Sequence, residues 1–146
     1  MTSTDPLGRF RDRLSLPLIA APMFLVSGVE LVIAACRNGV IGAFPTVNCR
    51  SSEQLDGWLL EIESQLRQHS QQSGKPSAPV CPNLIVHRSN ARLAQNLEVL
   101  LRHKPEMVIT SVGSPAPVLA PLHDAGAVVF ADVASIRPAV NRRGIF

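Results

Sequence analysis

The sequence predicts an α/β fold in which helices cover a parallel β-sheet. Short apolar segments and amphipathic or helix-like segments alternate strictly along the 146 residues. The apolar segments are continuous rather than alternating, which is typical of strands that are buried on both faces. Turn-forming residues separate the two kinds of segment. Because strict βα alternation is typical of parallel sheets, we predict that each helix connects two parallel strands.

The first βα unit lies near the amino terminus. Residues 16–23 form a short apolar run, for which we predict a strand buried on both faces. Ser27 and Gly28 predict the N-cap of a helix over residues 29–37. Asn38-Gly39 supplies the C-terminal stop of that helix.

The rest of the chain repeats this alternation. Residues 40–44 predict the second strand, and Ser52 and Glu53 are a plausible start for a helix between residues 51 and 70. That helix carries apolar residues at spacings of three and four, namely Leu55, Leu59, Ile62 and Leu66. A polar connector, "QQSGKPSAP", follows it. The remaining predicted strands span residues 80–86, 106–111 and 127–132. The remaining predicted helices span residues 90–103 and 115–125.

Two architectures compete for this pattern, an open doubly wound sheet and a (β/α)₈ barrel. The dinucleotide-binding version of the open sheet predicts G-x-G-x-x-G after the first strand, where this chain has "PMFLVSG". A barrel needs about 250 residues, so five of its eight units take roughly 156. We therefore predict a truncated (β/α)₈ barrel of the TIM type with about five βα units. Residues 1–13 are interpreted as a polar lead, 14–137 as the partial barrel and 138–146 as an atypical truncated tail.

The composition argues against several classes of protein. The net charge of +3 is spread along the chain and only 4% of the residues are aromatic, which argues against a nucleic-acid surface. Cys36, Cys49 and Cys81 lack zinc-site spacing, and we interpret them as reduced thiols of a cytoplasmic protein without a metal. We predict no signal peptide and no membrane span, because the apolar stretches are too short and proline interrupts the first.

Three blocks of the sequence resemble the N-terminal part of nitronate monooxygenase, formerly called 2-nitropropane dioxygenase. They are "PLIAAPMFLVSGVELVIAACRNGVIGAFPTVNCRS", "PNLIVHRSNARL" and "VITSVGSPAPVLAPLHDAGAVVFADVAS". The resemblance covers residues 14–137 and implies a flavin-dependent (β/α)₈ barrel with FMN at the carboxyl ends of the strands. It also implies a small-molecule substrate, an alkyl nitronate, which is oxidised with O₂ to a carbonyl compound and nitrite.

The resemblance also implies which residues contact the flavin. Ala21, Pro22, Met23 and Phe24 correspond to the segment that runs under the isoalloxazine ring, and Asn83 corresponds to an asparagine near the flavin. Small residues allow the backbone to approach a flat ring, and a buried amide needs a hydrogen-bond partner. The alternatives are core filling for Met23 and hydrogen bonds to neighbouring backbone for Asn83.

Four other residues follow predicted strands and are possible pocket residues: His87, Ser111, Gly113 and Asp132. The alternative for His87 is a solvated loop histidine, and Gly113 more often marks only a turn or a helix start. Asp132 could instead cap a helix that begins near Ser135. No catalytic residue and no metal ligand is predicted from these positions.

In the family, the catalytic histidine and the glycine-rich loops that bind the FMN phosphate follow the fifth strand. We therefore expect both to be missing from a chain that ends at Phe146, and expect its activity to be impaired. Loss of three charge-assisted hydrogen bonds would lower FMN affinity by roughly three to six decades.

Two alternatives to a nitronate monooxygenase remain open. The chain could be a non-catalytic half-barrel that self-associates, or pairs with a complementing chain, through open sheet edges. It could also be another flavin or nucleotide barrel oxidoreductase, of which the inosine-monophosphate dehydrogenase type has a similar first strand.

Overall fold

A computed structural model describes residues 8–134 of the chain. Five parallel strands form one sheet in the order β1-β2-β3-β4-β5, so that each strand pairs with the next along the chain. The strands are β1 (Ile19–Ala20), β2 (Ile41–Pro45), β3 (Val80–Ile85), β4 (Met107–Ser111) and β5 (Val128–Ala131). The helices are α1 (Val29–Arg37), α2 (Ser52–Ser73), α3 (Leu93–His103) and α4 (Ala116–Asp124).

The strand order identifies the architecture. In a doubly wound sheet the order reverses at a switch point, whereas here every crossover moves one strand in the same direction. Right-handed crossovers that all advance in one direction place all helices on the same face of the sheet. The sheet curls into a half-barrel with the helices outside, and the predicted barrel of five βα units is confirmed.

The first strand differs from its prediction. Only Ile19–Ala20 pair as β1, and both residues are half-buried. Leu16 and Leu18 are 54% and 53% exposed, so the prediction that residues 16–23 form a strand buried on both faces is wrong. Among the described residues β1 pairs with β2 alone, and this edge position leaves its apolar side chains partly uncovered.

The second helix has well-defined caps at both ends. Ser51 is the N-cap, and its hydroxyl accepts a hydrogen bond from the Gln54 N–H at 3.2 Å. The Gln54 side chain in turn accepts from the Arg50 N–H at 2.6 Å, which resembles a capping box. Gly74 ends the helix at φ +68°, a conformation that glycine adopts without strain.

The third helix begins later than the sequence predicts, at Leu93 instead of Asn90. The Asn90 amide donates to the Ile85 carbonyl at 2.8 Å, and its oxygen accepts from the Arg92 N–H at 3.1 Å. An asparagine that bonds to the neighbouring backbone favours a turn over a helix. These contacts therefore delay the helix by one turn and hold the loop against the end of β3.

Two apolar layers lie on opposite faces of the sheet. Alternate residues of a strand point to opposite faces, so Phe44, Leu84 and Val108 pack outward against the helices. The inner layer is smaller and its buried members are Phe10, Ile41, Ala43, Cys81 and Met107. The outer layer is the main core, and the inner layer fills the amino end of the half-barrel.

A short 3₁₀ helix, Gly8–Arg13, supplies part of this inner layer. Its Phe10 is fully buried, and the Arg9 guanidinium donates to the carbonyls of Glu106 and Gly126 at 2.9 and 3.0 Å. Arg13 pairs with the Glu106 carboxylate at 2.8 Å. Residues 8–13 therefore pack against the barrel, whereas the sequence analysis separated residues 1–13 as a polar lead. The predicted tail, residues 138–146, lies outside the described residues.

The three cysteines are buried free thiols. Burial raises the pKa of Cys36 and of Cys49 to about 11, and it raises the pKa of Cys81 as well. A raised pKa leaves little thiolate at neutral pH, so these thiols are poor nucleophiles. Within residues 8–134, no helix is both long and apolar enough to cross a membrane.

Candidate functional site

A cleft of about 350 Å³ opens at the carboxyl edge of the sheet. This edge is where (β/α)₈ barrels carry their active sites. The lining comes from the ends of four of the five strands, although those strands are far apart in the sequence. The residues that line it are Ile19, Ala21, Pro22, Asn83, Ile109, Ser111 and Asp132.

Five residues that the sequence analysis singled out therefore meet in one cleft. Ala21 and Pro22 follow β1, Asn83 lies in β3, Ser111 ends β4 and Asp132 follows β5. Ile19 and Ile109 were not predicted, and they reach the cleft because they occupy inward-facing positions of β1 and β4. Because alternate residues of a strand face the same side of the sheet, their spacing from Ala21 and Ser111 could have identified them.

Asn83 and Ser111 form a buried polar pair in the cleft. The Asn83 amide nitrogen donates to the Ser111 hydroxyl at 3.0 Å, and that hydroxyl donates to the Asn83 amide oxygen at 3.2 Å. The two side chains are 6% and 7% exposed. An asparagine amide has two N–H donors and two acceptor lone pairs, so this pair leaves one of each available to a ligand. The predicted alternative, an amide bonded to backbone, is not what the structure shows.

The Ser27 side chain shapes the loop that follows β1. Its hydroxyl accepts from the Met23 N–H at 2.9 Å and donates to the Ala21 carbonyl at 3.1 Å. Of the two residues predicted to cap α1, Gly28 is the N-cap, and the prediction is wrong for Ser27, whose side chain does not cap the helix. Ser27 instead fixes the backbone of the loop that carries two cleft residues.

Asn48 holds the same loop from the other side, and the sequence analysis missed it. Its amide nitrogen donates to the carbonyls of Met23 and Ser27 at 3.2 and 2.9 Å, and its oxygen accepts from the Leu25 N–H at 3.0 Å. Leu25 has φ +59°, which is uncommon for a residue with a side chain. The three bonds from Asn48 hold this strained turn in place.

Met23 and Phe24 lie on this loop but do not line the cleft. They are 43% and 64% exposed, and their neighbours Leu25 and Val26 are 78% and 63% exposed. Core filling, the alternative considered for Met23, is therefore wrong. Contact of Met23 and Phe24 with a flavin remains a prediction.

His87 and Gly113 also lie outside the cleft lining. His87 is exposed, and its Nδ1 lies 2.7 Å from the Ser89 hydroxyl and accepts from the Ser89 N–H at 3.2 Å. Gly113 has φ +149°, and a Cβ there would lie 3.2 Å from the Val86 carbonyl oxygen. These contacts are typical of a loop histidine and of a turn glycine, which are the alternatives that the sequence left open.

Asp132 brings a carboxylate to the cleft. Its backbone N–H donates to the Thr110 carbonyl at 2.8 Å, which continues the β4–β5 ladder and fixes where the side chain begins. The helix near Ser135 that it could cap lies outside the described residues. Among the residues that line the cleft, none is a lysine or an arginine. Over residues 8–134 there is also no group of three or more metal-ligating side chains placed to hold a metal ion.

Comparison with known proteins identifies the fold. The sequence matches no protein-family model and no curated protein. FabK from Thermotoga maritima has a similar structure, with a TM-score of 0.72 and 21% sequence identity over 94% of this chain and 40% of that chain. The enoyl reductase domain of MlnA, from the macrolactin biosynthesis cluster of Bacillus amyloliquefaciens, also has a similar structure. Its TM-score is 0.70 and its identity 19%, over 90% of this chain and 31% of that chain.

The extent of these matches limits what is shared. The chain spans about 40% of the length of FabK, and the identities of 21% and 19% establish the fold alone. The common part is the five-stranded half-barrel described above. The cleft lies at the edge of the sheet that this shared fold uses for chemistry.

Proposed function

We propose that the cleft at the carboxyl edge holds one side of a flavin, and that the chain belongs to an FMN-dependent oxidoreductase. The observation that carries this proposal is the convergence of Ala21, Pro22, Asn83, Ser111 and Asp132 on one cleft. A sequence resemblance to flavin-dependent barrels singled out Ala21, Pro22 and Asn83, and the positions of Ser111 and Asp132 after predicted strands singled out these two. The similarity to an enoyl reductase domain also supports an oxidoreductase.

The residues of the cleft fit the ring of a flavin better than its phosphate. Ala21 and Pro22 are small, so a flat ring can approach their backbone, and Asn83 and Ser111 offer hydrogen bonds to its polar edge. Asp132 can accept a hydrogen bond from a ring N–H or a ribityl hydroxyl. Since none of the described lining residues is a cation, we assign the phosphate no partner among them.

When bound, FMN would supply the transfer of electrons between a small-molecule substrate and a second reactant. The protein residues position the ring and exclude water. Asn83 and Ser111 orient each other through two hydrogen bonds, which keeps the amide in one orientation before a ligand arrives. Asn48 and Ser27 hold the loop that carries Ala21 and Pro22.

Flavin titration tests this proposal. We expect FMN and riboflavin to bind with dissociation constants within about threefold of each other, because only their shared ring meets the cleft. Ala21→Leu fills the cleft and should abolish binding of both. The matched control is Ala34→Leu, at an exposed position of α1 that does not line the cleft. The proposal fails if neither flavin binds, or if Ala21→Leu binds flavin as the parent chain does.

Two reactions are candidates for the flavin site. The sequence blocks favour oxidation of an alkyl nitronate with O₂, and the structural similarity favours reduction of an enoyl compound. In the first case, flavin-loaded protein supplied with an alkyl nitronate should consume O₂ and release nitrite. In the second case, chemically reduced flavin-loaded protein should reduce an enoyl compound and return its flavin to the oxidised form. The nitronate candidate, which the sequence blocks favour, fails if only the second activity is found.

A second proposal is a non-catalytic half-barrel that associates through its sheet edges. Within the described part of the chain, β1 and β5 each pair on one side only, and unpaired strand edges favour association. Light scattering coupled to size-exclusion chromatography distinguishes the two proposals. A monodisperse monomer that binds flavin contradicts the half-barrel proposal, whereas a flavin-free dimer supports it.

A further inference from the structure

A second cleft, of about 330 Å³, lies at the opposite end of the sheet from the candidate flavin site. One wall is α2, another is the connector of residues 76–79 that leads into β3, and the third is the turn between α3 and β4. Arg13 of the amino-terminal 3₁₀ helix also lines the cleft, and all of these elements belong to the described part of the chain.

The cleft combines an apolar wall with a polar rim. Its accessible apolar wall comes from Pro76, Val80 and Pro105, and the buried side chains of Leu59, Ile62 and Leu66 of α2 form its base. The Ser70 and Ser77 hydroxyls, which lie 3.3 Å apart, also line it. Half of the lining residues are apolar and half are polar or charged, and the volume lies in the range that is usual for small-molecule sites.

The rim is positively charged. Three of its residues are cations, Arg13, Arg67 and Lys104, and two are carboxylates, Glu63 and Glu106. Both carboxylates already have partners, because Glu106 pairs with Arg13 at 2.8 Å and Glu63 lies 2.8 Å from a His103 ring nitrogen. Arg67 and Lys104 are exposed and form no hydrogen bond or ion pair with another described side chain. These two cations are available to a ligand.

The walls of the cleft are fixed before a ligand binds. His103 of α3 lies in the lining, and its two ring nitrogens are each 2.8 Å from a carboxylate of α2, those of Asp56 and Glu63. The ring is 7% exposed, and Arg102 is a further charged group near Asp56, at 3.4 Å. These contacts hold α2 against α3, so a ligand meets a preformed site and loses less free energy in ordering it.

We propose that this cleft is a binding site for a small organic anion with an apolar body, such as a medium-chain carboxylate. The apolar wall takes the hydrocarbon part, and Arg67 and Lys104 take the carboxylate. Ser70 and Ser77 are hydrogen-bonded to each other through their hydroxyls, so one hydroxyl is the donor in that bond and the other can donate to the same group. The site lies at the amino edge of the sheet, away from Asn83 and Ser111, so it is separate from the candidate flavin site.

Nuclear magnetic resonance titration of the full chain tests the proposal, with octanoate as the probe. We expect shifts of the Ser70 and Ser77 backbone amides that saturate by about 10 mM. Octanamide, which keeps the chain and loses the charge, should bind at least about tenfold more weakly. Raising the salt concentration should weaken the binding of octanoate but not that of octanamide, because salt screens only the contribution of the charge to binding.

Charge-removing variants test the residues named. Arg67→Gln and Lys104→Gln should each raise the dissociation constant of octanoate about three- to tenfold. Arg88→Gln is the matched control, because Arg88 is exposed and lies outside the cleft lining, and it should leave binding unchanged. All three positions are exposed, so the variants should fold as the parent chain does.

Four results would overturn the proposal. They are the absence of shifts at Ser70 and Ser77, equal affinity for octanoate and octanamide, equal affinity for octanoate and inorganic phosphate at these residues, and an effect of Arg88→Gln as large as that of Arg67→Gln. Tight phosphate binding would indicate a simple anion site that does not use the apolar wall.

Discussion

Phe10 provides the sharpest test of how the half-barrel is held together. It lies in a 3₁₀ helix ahead of the first strand, yet its side chain is fully buried against the inner face of the sheet. A phenylalanine side chain buries roughly 150–250 Å². At about 25 cal/mol per Å², this burial contributes at most roughly 4–6 kcal/mol, because the unfolded chain already hides part of the surface.

We therefore expect Phe10→Ala to lower the free energy of unfolding by about 3–5 kcal/mol, which is typical of a buried phenylalanine. The Arg9 guanidinium lies 4.6 Å from the centre of the ring, so the variant also loses a cation–π contact. Urea unfolding followed by circular dichroism measures the change. Phe10→Leu preserves most of the side-chain volume and should lower the free energy of unfolding by about 1 kcal/mol. This variant can still be measured if the alanine variant does not fold.

Phe24→Ala is the control for this prediction. Phe24 is another phenylalanine near the amino terminus, in the loop after β1, but it is 64% exposed. Its removal should change the free energy of unfolding by no more than about 0.5 kcal/mol. The reasoning is refuted if Phe10→Ala costs less than about 1 kcal/mol, or if the two alanine variants cost the same.

Other predictions concern the helix contacts and the thiols. Gly42→Ala should destabilise the chain by about 1–3 kcal/mol in the same urea assay, because the new Cβ would lie 2.7 Å from the Val32 carbonyl oxygen. The hydrogen bond from His103 lowers the pKa of the Asp56 carboxyl. The contribution of this hydrogen bond to stability is therefore complete above the ordinary pKa of a carboxyl group, and it is lost as the pH falls through the lowered pKa of Asp56. Acid titration of unfolding should consequently show a smaller loss of stability in Asp56→Asn than in the parent chain, and an equal loss would contradict this assignment. The three cysteines should react with a thiol reagent at pH 8 at least about tenfold more slowly in the folded chain than in urea, and equal rates would contradict their burial.

The order and type of the elements follow from the sequence because the apolar pattern is local. Helix α1 was predicted over residues 29–37 and occurs as Val29–Arg37. Asn38-Gly39 ends it through short-range backbone conformation, with Gly39 at φ +74°. The burial of a strand depends on its neighbours in the sheet, which the local pattern does not contain. Residues 16–23 were therefore assigned to a buried interior strand, although among residues 8–134 β1 pairs with β2 alone.

The candidate flavin site was predictable in part for the same reason. Asn83 and Ser111 stand out because they are polar residues in apolar strands, and parallel strands bring their carboxyl ends to one edge. Asn48 gave no such signal, because its role depends on a turn at Leu25 that lies 23 residues earlier in the chain. Phe10 was missed because a single aromatic residue among charged ones has no periodicity.

The contacts of Arg9 have a consequence for the order in which the chain folds. Each βα unit pairs with the next one, so the sheet can grow along the chain through short-range closures. The two carbonyls that Arg9 binds lie 97 and 117 residues further on, at the turns before β4 and β5. Closing so long a loop is favourable only after those turns exist. We therefore expect the amino-terminal 3₁₀ helix to dock last. Its docking requires that the sheet has already curved enough to bring the turns before β4 and β5 together.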